Sequence, residues 1–332
     1  MNRKTIEKIQ KAMTLDKANQ QDFIAYDDMD AVQFDFGQML EPWMVKRIST
    51  AAQEALKVLG NIFDTHNPKV RITPFGEADQ ERAEVAERWA EYHLAKINQR
   101  AGKSPIRQMP HMAGKYGRIC AQVDYLPYWL PKSKDKWSNK QREQMRQGPY
   151  CIYLHNPRNV YYSMGEYGLE WAASVTNMSA EEIIGKWSVY DNATDNGRKV
   201  QAAIEEIRRM TENTKEELRF IHVDYMDYDK RSVSVFRTTG FGISTFEKMS
   251  GEGDVISIMD SDNKLGFMNW VVVECDSTPL LSGIHKGNLY AYQTLLDTIV
   301  HSSVMRRAFP PVTISQTIDG KGINVDYSGA EP

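Results

Sequence analysis

The sequence predicts a mixed α+β fold. Two observations carry this reading. Between residues 150 and 275, short apolar runs alternate with polar residues at period two, as strands packed on one face require. Outside that region, apolar residues recur three and four apart over about 41–59, 78–100 and 284–308, as helices buried along one stripe require. With 332 residues the chain exceeds one ordinary core, so two or three domains are expected.

In chain order, residues 1–30 read as an amino-terminal arm. Ile6, Ile9, Met13 and Leu15 are spaced for a short amphipathic helix, and Asp27, Asp28 and Asp30 interrupt the pattern beyond it. The helix at 41–59 has Pro42 in its first turn and Trp43, Val45, Ile48, Ala52, Ala55, Leu56 and Leu59 on a broad apolar face, with Gly60 at its end. Lys69 to Phe75 alternates and reads as a short strand. The helix at 78–100 carries Val85, Trp89, Tyr92 or His93, and Lys96-Ile97 at helical spacing. A helical piece at 108–117 leads into a strand over 118–126, with Ile119, Ala121 and Val123 on one face.

Residues 127–149 read as a basic loop, with six basic and two acidic residues between Lys132 and Arg146. Strands are expected at 150–154, 160–163, 170–174, 219–224, 232–237 and 270–275. A helical insertion sits among them. Ser179 and Glu182 form a capping box that starts a helix ending near Trp187, and Val200, Ile204, Ile207 and Met210 mark a second helix. Gly251–Gly253 and Asp262-Asn263 read as turns. The final helix, 284–308, is stopped by Pro310-Pro311, and a strand-like tail occupies 312–318. Leu289, Tyr292, Leu295, Leu296, Ile299, Val300 and Val304 give that helix an apolar stripe.

The balance of charge narrows the function. A protein that grips phosphates carries a basic excess, and this chain has a formal net charge of −3. Its three cysteines, Cys120, Cys151 and Cys275, are far apart and lie in apolar stretches, so buried free thiols are expected rather than a zinc site. No apolar run approaches a membrane span, and the first residues lack the apolar core of a signal peptide, so synthesis and folding in a cytoplasm are expected.

Candidate chemistry is sparse. Asp224, Asp227 and Asp229 crowd one six-residue run, and with His155 they could serve a metal-dependent nuclease or phosphoesterase. Asp224 and Asp227 would face opposite sides of a strand, and a strand end with solvated alternate residues is the plainer reading. The Asp260–Asn263 run with Gly266 departs from a calcium loop in its glycine and its missing glutamate, so a hairpin turn is expected. His155 and His301 lack a serine or cysteine motif beside them, and no phosphate-binding loop or zinc-helix motif occurs. No catalytic residue, cofactor or metal is assigned. The run from Lys132 to Arg146 contains Trp137 and could touch nucleic acid by charge and stacking, or simply be a solvated loop. Seven tryptophans and 10% aromatic content suit a large core or subunit contacts.

Three stretches in order resemble one family. The first is Asn67-Pro68-Lys69-Val70-Arg71-Ile72-Thr73-Pro74, an acidic alanine-rich helix, and then Gly114-Lys115-Tyr116-Gly117-Arg118-Ile119. The second is His155-Asn156-Pro157-Arg158-Asn159-Val160-Tyr161, followed by the helix start at Met178–Glu182. The third is Leu265–Val272, the helix from about Asn288 to Arg307, and Pro310-Pro311, with Asn269 where the family has a proline. This series, spanning about 60–315, resembles the portal proteins (head-to-tail connectors) of tailed bacteriophages.

The resemblance implies a ring at one capsid vertex of the virion, usually of twelve subunits, assembled in the host cytoplasm. Double-stranded DNA passes through it during packaging and ejection. Its implied partners are copies of itself, the major capsid protein, the terminase large subunit and a head–tail adaptor, with no membrane. It implies no enzymatic activity. Residues 31–126 become a helical part of the wing and 150–283 a β-rich part. Residues 284–308 become a stem helix and 309–332 the start of the clip. The family continues into a further stem helix and crown, so a fragment, a truncated product or a short relative is expected. On the stem helix, Leu289, Leu296 and Ile299 would pack between subunits. Lys286, His301, Arg306 and Arg307 would face the DNA channel, with Gln293 and Asp297 nearby.

Overall fold

Apolar alternation between residues 150 and 275 does build the central sheet, and it does so as a simple meander. A computed structural model describes residues 1–33, 44, 47–64, 69–74, 76, 79–100, 104–125, 133–146, 148–188, 190, 195–212, 218–238, 246, 255–263, 266–275, 280–286, 289–308, 313–316 and 323–326. The five strands of the central sheet are β3 (Val160–Gly165), β4 (Gly168–Ser179), β5 (Arg219–Asp227), β6 (Lys230–Thr238) and β7 (Val255–Asp262). Each pairs antiparallel with the next, in the order β3-β4-β5-β6-β7. A second sheet, β2-β1-β8, joins β1 (Arg118–Tyr125), β2 (Tyr150–His155) and β8 (Trp270–Glu274). A two-stranded ribbon, β9 (Thr313–Gln316) with β10 (Ile323–Asp326), closes the described chain. With its helices, the protein is α+β.

The period of two along β5 explains the layers. Ile221, Val223 and Tyr225 face one side of the sheet, where they meet Phe246 and helix α1 (Arg3–Leu15) through Ile6, Ile9 and Met13. Phe220 faces the other side, against α7 (Ala180–Trp187) and α8 (Asp195–Glu212), with Ile183, Trp187, Val200, Ile204 and Ile207 in the contact. Met226 faces the same way but meets the second sheet, packing with Cys120, Trp270 and Val272. A fourth cluster is all helical. It unites α2 (Lys17–Asp30), α3 (Ala51–Asp64), α5 (Pro105–Tyr116), α9 (Leu280–Lys286) and α10 (Leu289–Ala308) through Phe23, Tyr26, Met29, Leu56, Tyr116, Leu281 and Tyr290. The remaining helices are α4 (Gln80–Arg100) and α6 (Asn139–Arg146).

Several expectations need correction. The amino-terminal segment is not an arm but two helices built into the core, because Ile6, Ile9 and Met13 line the sheet and Phe23, Tyr26 and Met29 line the helical cluster. Asp27 and Asp30 do not interrupt α2. Lys115 Nζ lies 2.8 Å from a carboxylate oxygen of each, and Arg158 Nη1 donates to Asp27 at 2.7 Å, so cations balance carboxylates that would be unfavourable in a last turn. The helix expected at 41–59 starts at Ala51 and runs through Gly60 to Asp64, while Pro42, Trp43 and Val45 lie outside the described residues. Residues 69–74 form no strand, and the Ile72 N–H is held by Glu87 Oε1 at 2.7 Å instead of by a ladder.

The segment read as a basic loop contains helix α6 and a 3-10 turn at Lys134–Lys136. Ser138 caps α6: Gln141 N donates to Ser138 Oγ at 3.3 Å, and Ser138 N donates to Gln141 Oε1 at 2.8 Å. Asp260–Asp262 belongs to β7, a strand not among those the sequence predicts, and not to a turn. Of the helix expected at 284–308, residues 289–308 form the 20-residue α10 and residues 280–286 form α9, while 287–288 lie outside the described residues, so one continuous stem-type helix is not shown. The Ser179–Glu182 capping box is present as expected, with both reciprocal hydrogen bonds made. Among the described residues no helix is long and apolar enough to cross a membrane.

Candidate subunit interface

Helix α10 is inside out. Its buried face carries Tyr290, Thr294, Thr298 and Ser302, spaced four apart, with Thr294 and Thr298 fully buried. Its exposed face carries Leu289, Tyr292, Leu296, Ile299, Val300 and Val304, with Leu296 55% exposed. An ordinary surface helix has the opposite arrangement.

The hydroxyl face has a partner that explains it. Residues 47–50 have no regular structure and run beside α10, so their backbone groups need hydrogen bonds from elsewhere. Arg47 N donates to Thr298 Oγ1 at 3.0 Å, and the Thr298 hydroxyl lies 3.0 Å from the Arg47 carbonyl. Ser49 N donates to Thr294 Oγ1 at 3.5 Å, and the Tyr290 hydroxyl bonds the Ser49 carbonyl. Side chains of α10 thus act as the missing neighbouring strand for this segment. With its polar face turned inward for that purpose, the helix leaves its apolar face in water.

Beside that face lies a groove of about 540 Å³, walled by Leu296, Val300 and Val304 on one side and by Arg47–Ala51 on the other. Arg47 Nη1 donates to His301 Nδ1 at 3.2 Å on its rim. Helices α3 and α4 also each leave more than one apolar side chain exposed: Val58 and Ile62 on α3, and Val85, Trp89 and Tyr92 on α4. The sequence placed the last three on a buried stripe. In the structure α4 buries Ile97, as expected, together with Ala83, and Trp89 packs edge-on against His93 and Tyr150.

Of the expected site residues, Leu289, Leu296 and Ile299 all lie on the outward face of α10. His301 lines the groove. Gln293 Nε2 donates to Asp297 Oδ1 at 3.0 Å one turn away. The side chains of Lys286, Arg306 and Arg307 lie outside the described residues.

Asp224, Asp227 and His155 are not gathered into one site. Asp227 accepts from Asp229 N at 3.0 Å, Lys230 N at 2.7 Å and the Tyr225 hydroxyl at 2.9 Å, and so ties off the β5–β6 turn. Asp224 points to the opposite face, into a buried network between the two sheets that no sequence motif announces. There Arg231 donates from Nε and Nη2 to both oxygens of Asp224, at 3.1 and 2.9 Å, and from Nη1 to Asp124 at 3.1 Å. Asn269 Nδ2 donates to Asp124 at 2.8 Å and so joins this network. Gln122 donates to Asp224 at 3.4 Å, and His155 Nε2 lies 3.2 Å from Gln122 Oε1.

Burial alone would raise the Asp224 pKa, but the charge and hydrogen bonds of Arg231 override it and hold the carboxyl well below its usual range. Burial pulls His155 down to about 4, although the residue as a whole keeps some contact with solvent. Its ring lies against Trp270, tilted by 32° with centroids 4.6 Å apart. Each ion in this network faces its counter-ion, so the cluster fastens sheet to sheet. Among the described residues no group of three or more His, Cys, Asp or Glu is placed to hold a metal ion.

No protein-family model matches the chain, and no curated protein matches it.

Proposed function

We propose that this chain is a portal subunit, one copy of a ring at the capsid vertex of a tailed phage through which double-stranded DNA enters and leaves. Terminase docks on such a ring during packaging and a head–tail adaptor docks afterwards, while the major capsid protein surrounds it. The observation that carries the proposal is the outward apolar face of α10, since contiguous exposed apolar surface of this kind marks an interaction site.

Supporting it is the ordered series of family-like stretches across residues 60–315. The exposed patches on α3, α4 and α10 differ from one another, and a head-to-tail contact between unlike patches builds a ring where its rotation closes. A net charge of −3 suits a conduit past which DNA must slide, because strong phosphate contacts would retard it.

Light scattering and electron micrographs of the purified protein test the reading. A ring of mass many times the 38.1 kDa of one chain is expected. A protein that stays monomeric at micromolar concentration, or that stops at a two-fold dimer, overturns it.

A further inference from the structure

Three turns meet at one end of the five-stranded sheet. β3 and β4 are joined through Glu166 and Tyr167, with Gly165 paired to Gly168. β5 and β6 are joined through Tyr228 and Asp229. β7 ends with Asp262 opposite Lys230, and the chain beyond is pinned to the same place. Asn263 N donates to the Asp229 carbonyl at 2.7 Å, and Asn263 Nδ2 donates to the carbonyls of Asp227 at 3.3 Å and Phe267 at 3.0 Å. Trp171 lies opposite Asp227, so the β3–β4 turn overhangs the β5–β6 turn by about three residues, on the order of 10 Å.

Each of the three turns holds an aromatic ring out in water. Tyr167 is 93% exposed, Phe267 57% and Tyr228 50%. Folding does not account for Tyr167. Its ring buries almost nothing, and the turn is closed by its glycines, with Gly168 at φ +112°, a conformation that side chains rarely adopt. These turns and the strand ends beside them also carry exposed Glu166, Glu170, Asp229 and Asp262, with Lys230 their one cation among the described residues.

We propose that this end of the sheet docks a cationic, arginine-bearing segment of a partner protein. Guanidinium groups stack on aromatic faces and pair with carboxylates at once, and this surface offers both. Ammonium groups would gain the charge but less of the stacking. Nucleic acid is disfavoured, because its phosphates would meet the carboxylates. Strand pairing at Gly165–Gly168 and the side chains of Asp227 and Asn263 already tie down the described parts of these turns, so little ordering is lost on docking. This surface is separate from α10, and the proposal stands whether or not the chain forms a ring.

The test is a fluorescence-anisotropy titration of the full chain with labelled arginine–glycine, lysine–glycine and glutamate–glycine peptides and a labelled single-stranded oligonucleotide. The arginine peptide should bind most tightly. Tyr167→Ser combined with Tyr228→Ser and Phe267→Ser should weaken that binding roughly tenfold or more, from the summed loss of three cation–ring contacts. The melting temperature should not move, and Leu15→Ser, at an exposed apolar position on α1, should change nothing. Should the triple variant fold poorly, Tyr167→Ser alone carries the same comparison. The proposal falls if the arginine peptide does not bind, if it binds the serine variant as tightly, if lysine serves equally well, or if the oligonucleotide is what the three aromatics retain.

Discussion

Arg231 and Asp224, on neighbouring strands, share two hydrogen bonds of 3.1 and 2.9 Å in an interior that leaves the carboxylate wholly buried. The same guanidinium reaches Asp124 on β1, so one side chain fastens the five-stranded sheet to the three-stranded one. Breaking such a pair from one side leaves uncompensated buried charge and costs about 3–5 kcal/mol. Arg231→Met is therefore expected to lower the unfolding free energy by an amount in that range, read as a fall in the urea midpoint. Adding Asp224→Leu and Asp124→Leu should recover part of the loss, because no buried carboxylate is then left unpaired. An unchanged midpoint in the single variant would show that the network contributes nothing.

His155 gives the fold a sensitivity to mild acid. Burial lowers its pKa from the ordinary 6.5 to about 4, with Lys186 and Arg231 pushing the same way and Asp224 opposing them. The unfolded chain therefore takes up the proton first. Stability from this group is fully present above about pH 6.5 and is lost as pH falls towards 4. Burial lowers His222 in the same direction, so it adds to the loss. His155→Phe keeps a ring against Trp270 but cannot titrate, and its stability should fall less steeply between pH 7 and 5. Equal slopes for wild type and variant in urea unfolding at these pH values would remove His155 as a cause.

The basic segment separates surface charge from structure. Lys134 and Lys136 are exposed, so Lys134→Gln with Lys136→Gln should change stability by less than about 0.5 kcal/mol. Ser138→Ala removes the Oγ that accepts from Gln141 N and caps α6, while the bond from the residue-138 N–H to Gln141 Oε1 can persist, and losing the cap should cost about 1 kcal/mol. Thermal melts of the two variants should differ in that order. A larger loss from the lysine pair would show that those side chains hold the segment in place.

What the sequence disclosed depended on whether a residue's partner lay nearby in the chain. The Ser179–Glu182 box was legible because three residues fix it, and Ser138–Gln141 carries the same signature inside a segment whose charge reads as a loop. The meander was largely legible because each strand pairs with the next, although β7 hid behind an acidic end that looked like a turn. Arg231 and Asp124 stand 107 residues apart, and no local pattern joins them. Asp27 looked like a helix breaker because Lys115 and Arg158, its counter-ions, lie far along the chain. On α10 the apolar stripe was plain, but stripes are ordinarily buried. The recurrence of Tyr290, Thr294, Thr298 and Ser302 every four residues was the available sign that the other face was the inner one.

That inversion yields the sharpest contrast between folding and assembly. Leu296 is more than half exposed in the single chain, so Leu296→Asp takes little from the monomer and surface changes of this kind cost under about 0.5 kcal/mol. In an assembled contact the same carboxylate would be buried without a partner, which is expensive. Thr298 is the reverse case. It is fully buried, and its hydroxyl serves both the N–H and the carbonyl of Arg47. Thr298→Val keeps the shape but removes the hydrogen bonds its hydroxyl makes, at about 0.5–1.5 kcal/mol each. The expected outcome is that Leu296→Asp melts like wild type yet elutes as a monomer, while Thr298→Val melts lower yet still assembles at temperatures where it is folded. Size-exclusion chromatography with light scattering, run beside thermal melts, reads both. Rings that survive Leu296→Asp would show that the outward face of α10 is not where the copies meet, and the portal reading would lose the observation that carries it.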